Sequence, residues 1–256
     1  TQRGQDAMQE DQREEPKTWV VTGASRGIGL ATVDHILEQG DRVAMIARGA
    51  ELEQLAAERG ESCLGCRADV TDPDALTAAM ANIKDYWGAV DVLVNNAGLH
   101  RGARVARLKD DDWRAVLDVN LTGAINCIRA AEQWMPEGAA VVNVGAVVGF
   151  RGFPGDSAYA ASKAGLAGLT RALAIEFAPR GIRVNLVIPG LVLTEMTAEV
   201  SSAALEAMRK TIPLGRYGEA ADIARVIHWV GGSEYMTGAF VPVDGGLLSS
   251  FGVTGL

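Results

Sequence analysis

Short apolar runs rich in β-branched residues alternate with longer amphipathic stretches along most of the chain. The apolar runs predict strands at residues 19–22, 42–47, 62–67, 90–94, 140–144, 183–188 and 239–243. The stretches between them predict helices at about residues 27–39, 50–59, 73–87, 110–135, 157–179 and 219–231. Because strands that are apolar throughout are buried on both faces, the pattern indicates a seven-stranded, mainly parallel sheet with helices on both faces.

The order of these elements predicts an α/β fold, a single doubly wound, Rossmann-like domain over residues 18–256. Right-handed crossovers place the ligand crevice of such a sheet at the carboxyl ends of its strands. Residues 1–17 are polar, charged and nearly free of large apolar side chains, which is typical of a tail. Residues 191–215 follow a strand without regular patterning, and we expect them to form a lid over the crevice.

Composition excludes several classes of function. Of the 256 residues, 48% are hydrophobic and 22% charged, and the formal net charge of −8 is unlike that of a nucleic-acid-binding protein. No apolar run reaches the ~18 residues that a membrane-spanning helix needs. We therefore expect a cytoplasmic protein that binds neither nucleic acid nor membrane and has a small-molecule partner.

Cys63 and Cys66 have the spacing of a C-x-x-C pair. They lie at the end of a predicted strand, whereas a redox pair has its first thiol near a helix N-terminus and a zinc site needs further ligands. With Cys127 they are too few for a disulfide framework in a chain of this length, and the three histidines lack metal-ligand spacing. We expect reduced, buried cysteines and no metal site.

A glycine-rich turn follows the first predicted strand and opens the first predicted helix. It reads Thr22-Gly23-Ala24-Ser25-Arg26-Gly27-Ile28-Gly29. Glycines allow a tight turn and let backbone N–H groups approach a pyrophosphate, whose charge the helix N-terminus favours. The spacing differs from the G-x-G-x-x-G fingerprint, and a plain strand-to-helix turn can contain two glycines. Three glycines with a basic residue among them favour a dinucleotide site.

Together with later motifs, this turn makes the sequence resemble the short-chain dehydrogenase/reductase family over about residues 18–246. The later motifs are Asn95-Asn96-Ala97-Gly98, Asn120, Tyr159 with Lys163, and Pro189-Gly190 with Thr194. The resemblance implies that the cofactor is bound by Gly23, Ser25, Arg26, Gly27, Ile28, Gly29, Asp69, Val70, Asn96, Ala97, Gly98, Tyr159, Lys163, Ile188, Pro189, Gly190 and Thr194. Asp69 has an additional interpretation as a helix cap, which is compatible with cofactor binding.

The end of the second predicted strand selects the nicotinamide cofactor. NAD-dependent enzymes place an acid there that accepts hydrogen bonds from the ribose 2′-hydroxyl. This chain has Ile46-Ala47-Arg48 instead, and Arg26 and Arg48 are both placed to contact a 2′-phosphate. NADP(H) is therefore favoured over NAD(H), unless Arg48 is merely a solvated side chain.

Tyr159 and Lys163 are the residues to which the resemblance assigns the chemistry. Four residues apart, they lie on one face of a helix. A tyrosine, with a pKa of about 10, needs a nearby positive charge to exchange protons near neutral pH. In the family, hydride moves between nicotinamide and a carbonyl carbon while the tyrosine protonates the oxygen, the lysine binds the ribose and Asn120 anchors a relay water. Asn120 has the alternative of capping or packing within its helix.

Ala146 stands where the family has a serine that hydrogen-bonds the substrate oxygen, 13 residues before Tyr159. Loss of one such donor can cost ~10²–10³ in rate. Three explanations compete: an engineered variant with alanine in place of a native serine, a natural enzyme that uses another hydroxyl such as Ser157, and a pseudoenzyme. Because Asn120, Tyr159 and Lys163 remain, the engineered variant ranks first and the pseudoenzyme last, and we expect impaired activity.

Within the family, the sequence is most similar to β-ketoacyl carrier-protein reductases. The resemblance implies reduction of a ketone, or oxidation of a secondary alcohol, with a 3-oxoacyl thioester as one candidate substrate. Arg180 matches a basic position that docks an acidic carrier protein, but Glu137 lies near the other such position and disfavours docking. The candidate substrate pocket consists of Leu99, Val147, Phe153, Leu191 and Met196, any of which could instead be core.

Two further expectations concern assembly and an alternative function. The long apolar helices predicted at 110–135 and 157–179 exceed what one sheet face can cover, and family members pair them across two-fold axes. We therefore expect a homotetramer. The alternative function is an NADPH-binding pseudoenzyme or a cofactor-sensing regulatory protein.

Overall fold

A seven-stranded parallel sheet lies at the centre of the molecule. In the computed structural model, which describes residues 15–193 and 202–250, the strands are β1 Thr18–Thr22, β2 Arg42–Ala47, β3 Cys63–Arg67, β4 Val92–Asn95, β5 Ala140–Val144, β6 Arg183–Pro189 and β7 Phe240–Val243. Their order is β3-β2-β1-β4-β5-β6-β7, and every neighbouring pair is parallel. The predicted doubly wound α/β fold is confirmed.

Helices cover both faces of this sheet. They are α1 Gly27–Glu38, α2 Leu52–Ala57, α3 Pro73–Trp87, α4 Asp110–Leu117, α5 Gly123–Ala131, α6 Ser157–Phe177, α7 Ser202–Arg209 and α8 Ala220–Gly232. Apolar side chains of α1, α2 and α8 form the core on one face, and those of α3, α5 and α6 form the core on the other. Within the described ranges, none of these helices has both the length and the hydrophobicity of a transmembrane span.

The first strand shows why the sheet is buried on both sides. Trp19 and Val21 face the α1 and α8 side, whereas Val20 faces the α3 and α5 side, and all three are buried. Helix α8 approaches closely because it presents Gly231 to this strand. A Cβ at that position would lie 2.5 Å from the Trp19 ring.

The two cysteines of the C-x-x-C pair lie on β3 and point to opposite faces of the sheet. Cys63 packs in the core on the α2 side and Cys66 in the core on the α3 side. Burial raises the pKa of each thiol to about 11. As predicted, both are buried thiols without a disulfide.

Two regions differ from the predicted helices. The helix predicted at 110–135 is divided by a π-helical turn at Asp118–Thr122 between α4 and α5, and it ends in a 3₁₀ turn at Glu132–Trp134. The absence of regular structure predicted for 191–215 is wrong at α7. Alanine, leucine, glutamate and arginine favour a helix there, and Arg209 pairs with Glu206 at 2.7 Å. Residues 194–201 lie outside the described residues.

Candidate active site

The glycine-rich turn joins β1 to α1 at the carboxyl end of the sheet. Gly23 and Gly27 have positive φ angles of 64° and 55°, which favour glycine. Helix α1 begins at Gly27 with no side chain capping its N–H groups and with no acidic residue in its first turn. The first turn of this helix therefore carries no carboxylate that would offset its positive end, which suits a pyrophosphate group.

Asn96 ties this turn to the end of β4. Its Nδ2 donates to the carbonyl oxygens of Thr22, at 2.9 Å, and Gly23, at 3.2 Å. The backbone N–H groups of Asn96 and Ala97 both donate to Thr22 Oγ1 at 3.0 Å. A Cβ on Gly29 would lie only 2.2 Å from the Gly23 carbonyl oxygen. Asn96 and Ala97 thus hold the shape of the cradle.

Arg48 and Asp69 lie side by side after β2 and β3. Arg48 is mostly exposed, and its Nη1 lies 3.5 Å from Asp69 Oδ2. Burial raises the pKa of Asp69, but hydrogen bonds from Thr71 and the charge of Arg48 outweigh it and hold that pKa below its ordinary value. Because an exposed pair at this distance contributes little stability, the contact holds the Arg48 side chain only weakly. The interpretation of Asp69 as a helix cap is wrong, because Asp72 caps α3.

Tyr159 and Lys163 lie on one face of α6, as their spacing requires. Lys163 is buried, and its Nζ donates to the Val144 carbonyl oxygen at 2.8 Å and lies 5.7 Å from the centre of the Tyr159 ring. Burial lowers the pKa of Lys163 to about 8. Burial, with a smaller contribution from the charge of Asp156, raises the pKa of Tyr159 to about 12.

Asn120 sits in the π-helical turn and holds the chain after β4. Its Oδ1 accepts from the Leu99 N–H at 2.7 Å, and its Nδ2 donates to the Leu99 carbonyl oxygen and to Ser162 Oγ, both at 3.0 Å. A Cβ on Gly98 would lie 3.7 Å from Asn120 Oδ1 and 3.8 Å from Lys163 Nζ. Gly98, Asn120 and Lys163 therefore border one space. The Asn120 side chain is therefore packed by its hydrogen bonds, as one of its two interpretations predicted. The π-helical turn around it interrupts the helix predicted at 110–135.

Ala146 follows β5 and Gly145 with extended backbone angles and begins the 3₁₀ turn Val147–Gly149. It is partly exposed, so its methyl group borders accessible space. Ser162 cannot supply the hydroxyl that the family resemblance predicts at position 146, because its Oγ donates to the Tyr159 carbonyl oxygen at 2.7 Å and accepts from Asn120. Ser157 is exposed and lies two residues, about 200° around α6, from Tyr159. The geometry therefore disfavours Ser157 as the substitute.

His100 and Asp156 form a pair at this site that the sequence analysis missed. Their Nε2 and Oδ1 atoms lie 2.9 Å apart. The His100 ring contacts the Tyr159 ring edge to face, with centroids 5.2 Å apart. The position of Asp156, three residues before Tyr159 and hence on the same helical face, was the available signal. No local pattern links it to His100, which is 56 residues away in sequence.

The candidate pocket residues differ in their surroundings. Val147 is buried and packs in a core cluster that Leu191 also contacts, so the core interpretation applies to both. Leu99 is partly buried and held by Asn120, whereas Phe153 is half exposed. Met196 and Thr194 lie outside the described residues.

The remaining predicted cofactor residues lie around the same end of the sheet. Val70 is buried and packs against Gly123, where a Cβ would lie 2.7 Å from the valine side chain. Pro189 ends β6, and Gly190 passes so close to the chain after β7 that a Cβ would lie 2.6 Å from Asp244 Cα. Ser25, Arg26 and Ile28 belong to the glycine-rich turn, and Ile188 is buried within β6.

Comparison with known proteins places these features in context. A family model described as enoyl-(acyl carrier protein) reductase matches residues 23–248. Carbonyl reductase family member 4 from Danio rerio is 44% identical over 231 residues, covering 89% of this chain and 96% of the relative. The 3-oxoacyl-(acyl-carrier-protein) reductase FabG from Thermotoga maritima is 40% identical over 247 residues, covering 92% of this chain and 99% of the relative.

Solved structures show the same likeness. A blue fluorescent protein from a metagenomic library, in complex with NADPH, aligns with a TM-score of 0.85 at 33% identity and covers 90% of this chain and 97% of its own. A short-chain dehydrogenase/reductase variant from Serratia marcescens also aligns with a TM-score of 0.85 at 33% identity, covering 91% of this chain and 98% of its own.

Proposed function

Since the chain belongs to the short-chain dehydrogenase/reductase family of oxidoreductases, we propose that it is an NADPH-dependent reductase of ketones, acting in reverse on secondary alcohols. The observation that carries the proposal is the buried ammonium of Lys163 next to Tyr159. Within the described residues this ammonium donates only to the Val144 carbonyl oxygen, although it has three donors. The hydroxyl groups of a nicotinamide ribose are suitable acceptors for the others.

The side chains of the site suit proton donation to a carbonyl oxygen. When bound, a reduced nicotinamide supplies the hydride that the carbonyl carbon accepts. Tyr159 donates its hydroxyl proton to the oxygen, and its raised pKa keeps it protonated at neutral pH, as reduction requires. Lys163 has a pKa of about 8 and so remains mostly charged at pH 7. Asn120 holds Leu99 and thereby fixes the wall of the site next to Gly98.

The choice of NADPH rests on the exposed Arg48 after β2, where the chain has Ala47-Arg48 in place of the acid that NAD-dependent enzymes use. The weak contact with Asp69 leaves its guanidinium available to make charge-assisted hydrogen bonds to phosphate oxygens. A structural neighbour with the same fold was solved in complex with NADPH.

The substrate that we propose is a free ketone rather than a ketone attached to a carrier protein. Arg180, which matches a docking position, donates to the Glu132 carboxylate and carbonyl oxygen, each at 2.8 Å. Glu137 adds a negative charge on the neighbouring turn, which would repel an acidic partner. The relative FabG is named for action on a 3-oxoacyl carrier protein, so that substrate is the alternative.

The test is an assay of a panel of free ketones and 3-oxoacyl thioesters with NADPH and with NADH. We expect slow, NADPH-dependent reduction that Tyr159→Phe abolishes while leaving NADPH binding intact. If this chain and its Ala146→Ser variant both bind NADPH but neither oxidises it with any substrate, the result supports a cofactor-binding pseudoenzyme. This is the second candidate function, and Ala146 is the observation that favours it.

The proposed assembly is a homotetramer of single-domain chains, each spanning residues 18–256 with a lid at 191–215. Ile175 on α6 and Trp229 on α8 are large apolar side chains that remain exposed in the single chain, and an interface would cover such residues. Light scattering should show about four times the 26.9 kDa chain mass. A species of one chain mass at micromolar concentration contradicts this assembly.

A further inference from the structure

The His100–Asp156 pair lies against the residue to which we assign proton donation. His100 follows Leu99, whose backbone is held on both sides by the Asn120 amide, so its position is fixed by the site itself. The side chains of His100 and Asp156 are 35% and 17% exposed. The imidazole thus bonds to Asp156 and contacts the Tyr159 ring, and it is exposed enough to exchange protons with solvent.

Asp156 does not cap the helix that it precedes. It is the N-cap residue of α6, a place where an aspartate normally accepts hydrogen bonds from the first turn of the helix. Here its side chain makes no such bond and instead contacts His100. An N-cap aspartate that forgoes its helix-capping bonds, without a compensating gain in helix stability, indicates a role at the site.

The contact between His100 and Asp156 changes the charge near Tyr159. The carboxylate of Asp156 opposes ionisation of Tyr159 and therefore makes its hydroxyl a weaker acid. The hydrogen bond to Asp156 in turn raises the pKa of His100 above its ordinary value, against the effect of burial. When His100 is protonated, the pair has no net charge. When His100 is neutral, the pair has a charge of −1.

Other titratable and charged groups lie on the elements that pack around Tyr159 and His100. Lys163 on α6 has a pKa of about 8 and is the second group that titrates near neutral pH. The 3₁₀ turn Val147–Gly149 contains no titratable side chain. Charged groups on neighbouring elements of the described chain include Arg101, paired with Asp112 of α4 at 2.7 Å, Arg114, paired with Asp110 of α4 at 3.4 Å, Arg151, which donates to the Leu247 carbonyl oxygen, and Asp118, which is exposed in the π-helical turn.

We propose that His100 is a positioning residue for the reduction: its imidazolium, paired with Asp156 and packed against Tyr159, cancels the Asp156 charge at the catalytic hydroxyl. The inference rests on the proposed function, because it concerns the acid of that reaction. Reduction is then fastest when the pair is neutral and slows as His100 loses its proton, because Tyr159 becomes a weaker acid.

Comparison of the parent chain with two variants separates a charge effect from a merely structural one. In the parent chain, the rate of ketone reduction should fall by about threefold or more as His100 deprotonates, since a nearby charge changes a pKa by about one unit or more. His100→Gln keeps a donor for Asp156 but no charge, so it should show the lower rate at every pH and lose this step. His100→Gln/Asp156→Asn has no charge in the pair and should regain the higher rate without the step.

The double variant is the decisive comparison. If the pair only supports the fold, removing both side chains harms activity at least as much as removing one, and that result overturns the proposal. A step caused by Lys163 persists in all three proteins, so only the step lost in His100→Gln is assigned to the pair. His35→Gln, on the partly exposed His35 of α1, is the matched control and should leave the profile unchanged.

A second measurement does not depend on turnover. The imidazole resonances of the three histidines can be followed by NMR as a function of pH and assigned with His100→Gln. The titration midpoint of His100 should lie above about 6.5 and fall in Asp156→Asn. If the midpoint does not move in Asp156→Asn, the pair does not form and the proposal fails. If the midpoint moves but no ketone is reduced, it is the proposed function that fails.

Discussion

Replacing Ala146 by serine should restore a hydrogen-bond donor to the reacting oxygen. Ala146 is partly exposed, has extended backbone angles and lies two residues after Val144, which accepts from Lys163. Because Ala146 is not fully buried, we expect its replacement by serine to change the free energy of unfolding by less than about 0.5 kcal/mol. The effect should therefore be on chemistry alone.

The magnitude follows from what one donor contributes. A preorganised donor to a developing oxyanion is worth about 2.7–4 kcal/mol, or ~10²–10³ in rate. Since Asn120, Tyr159 and Lys163 are already in place, we expect Ala146→Ser to raise kcat by at least about tenfold and at most about a thousandfold. The affinity for NADPH should stay the same, because the hydroxyl acts mainly as charge develops on the oxygen.

The assay is NADPH oxidation with the best ketone of the panel, combined with calorimetry of NADPH binding. Ala161→Ser adds the same hydroxyl at an exposed position of α6 away from the Tyr159 face and should leave kcat unchanged. If Ala146→Ser changes nothing while Ser157→Ala abolishes turnover, Ser157 is the natural donor and the role assigned to position 146 is wrong.

Three further predictions concern the cofactor and stability. Arg48→Ala should weaken NADPH binding about tenfold, or ~1.4 kcal/mol, without affecting NADH; equal losses in calorimetry would remove Arg48 from the 2′-phosphate site. Gly98→Ala should have the melting temperature of the parent, because its Cβ meets only ordinary contacts, but it should bind NADPH poorly. Gly29→Ala should instead lose about 1–3 kcal/mol of folding free energy, because its Cβ overpacks the turn. Burial raises the pKa of Asp41, but its contact with His228 and two hydrogen bonds outweigh this effect and hold the pKa below its ordinary value. The two donors are the backbone N–H of Lys17 and the indole N–H of Trp19. The charge of Asp41 therefore stabilises the fold above about pH 4, and this contribution is lost on acidification; urea unfolding of Asp41→Asn should show a shallower decline in stability below pH 4 than the parent.

The elements that local patterning specifies could be predicted from the sequence. Strands β1, β2, β4, β5 and β6 are apolar runs that are buried almost throughout, which leaves little ambiguity about their type, whereas the edge strands β3 and β7 are only partly buried. The glycine-rich turn, Tyr159 and Lys163 are likewise short-range signals, because a turn needs positive φ at Gly23 and a helix brings residues four apart together.

What could not be predicted depends on contacts between distant segments. The π-helical turn at Asn120 arises where the amide of Asn120 reaches the backbone of Leu99, 21 residues away. The His100–Asp156 contact joins two loops that the fold brings together, and Asp156 by itself looks like a helix cap. Local propensity favours the alternative in both cases, so tertiary contacts decide the structure.

In the proposed mechanism, Ala146 and the His100–Asp156 pair would both affect the proton that Tyr159 transfers to the carbonyl oxygen. With a serine at 146, part of the charge that develops on that oxygen is stabilised by a second hydroxyl. With alanine, stabilisation would depend more heavily on how acidic the Tyr159 hydroxyl is, and the charge of the pair would contribute to that acidity alongside burial. Groups that act on one reacting atom are not additive in their effects. Loss of the imidazolium should therefore matter more in the present chain than after Ala146→Ser.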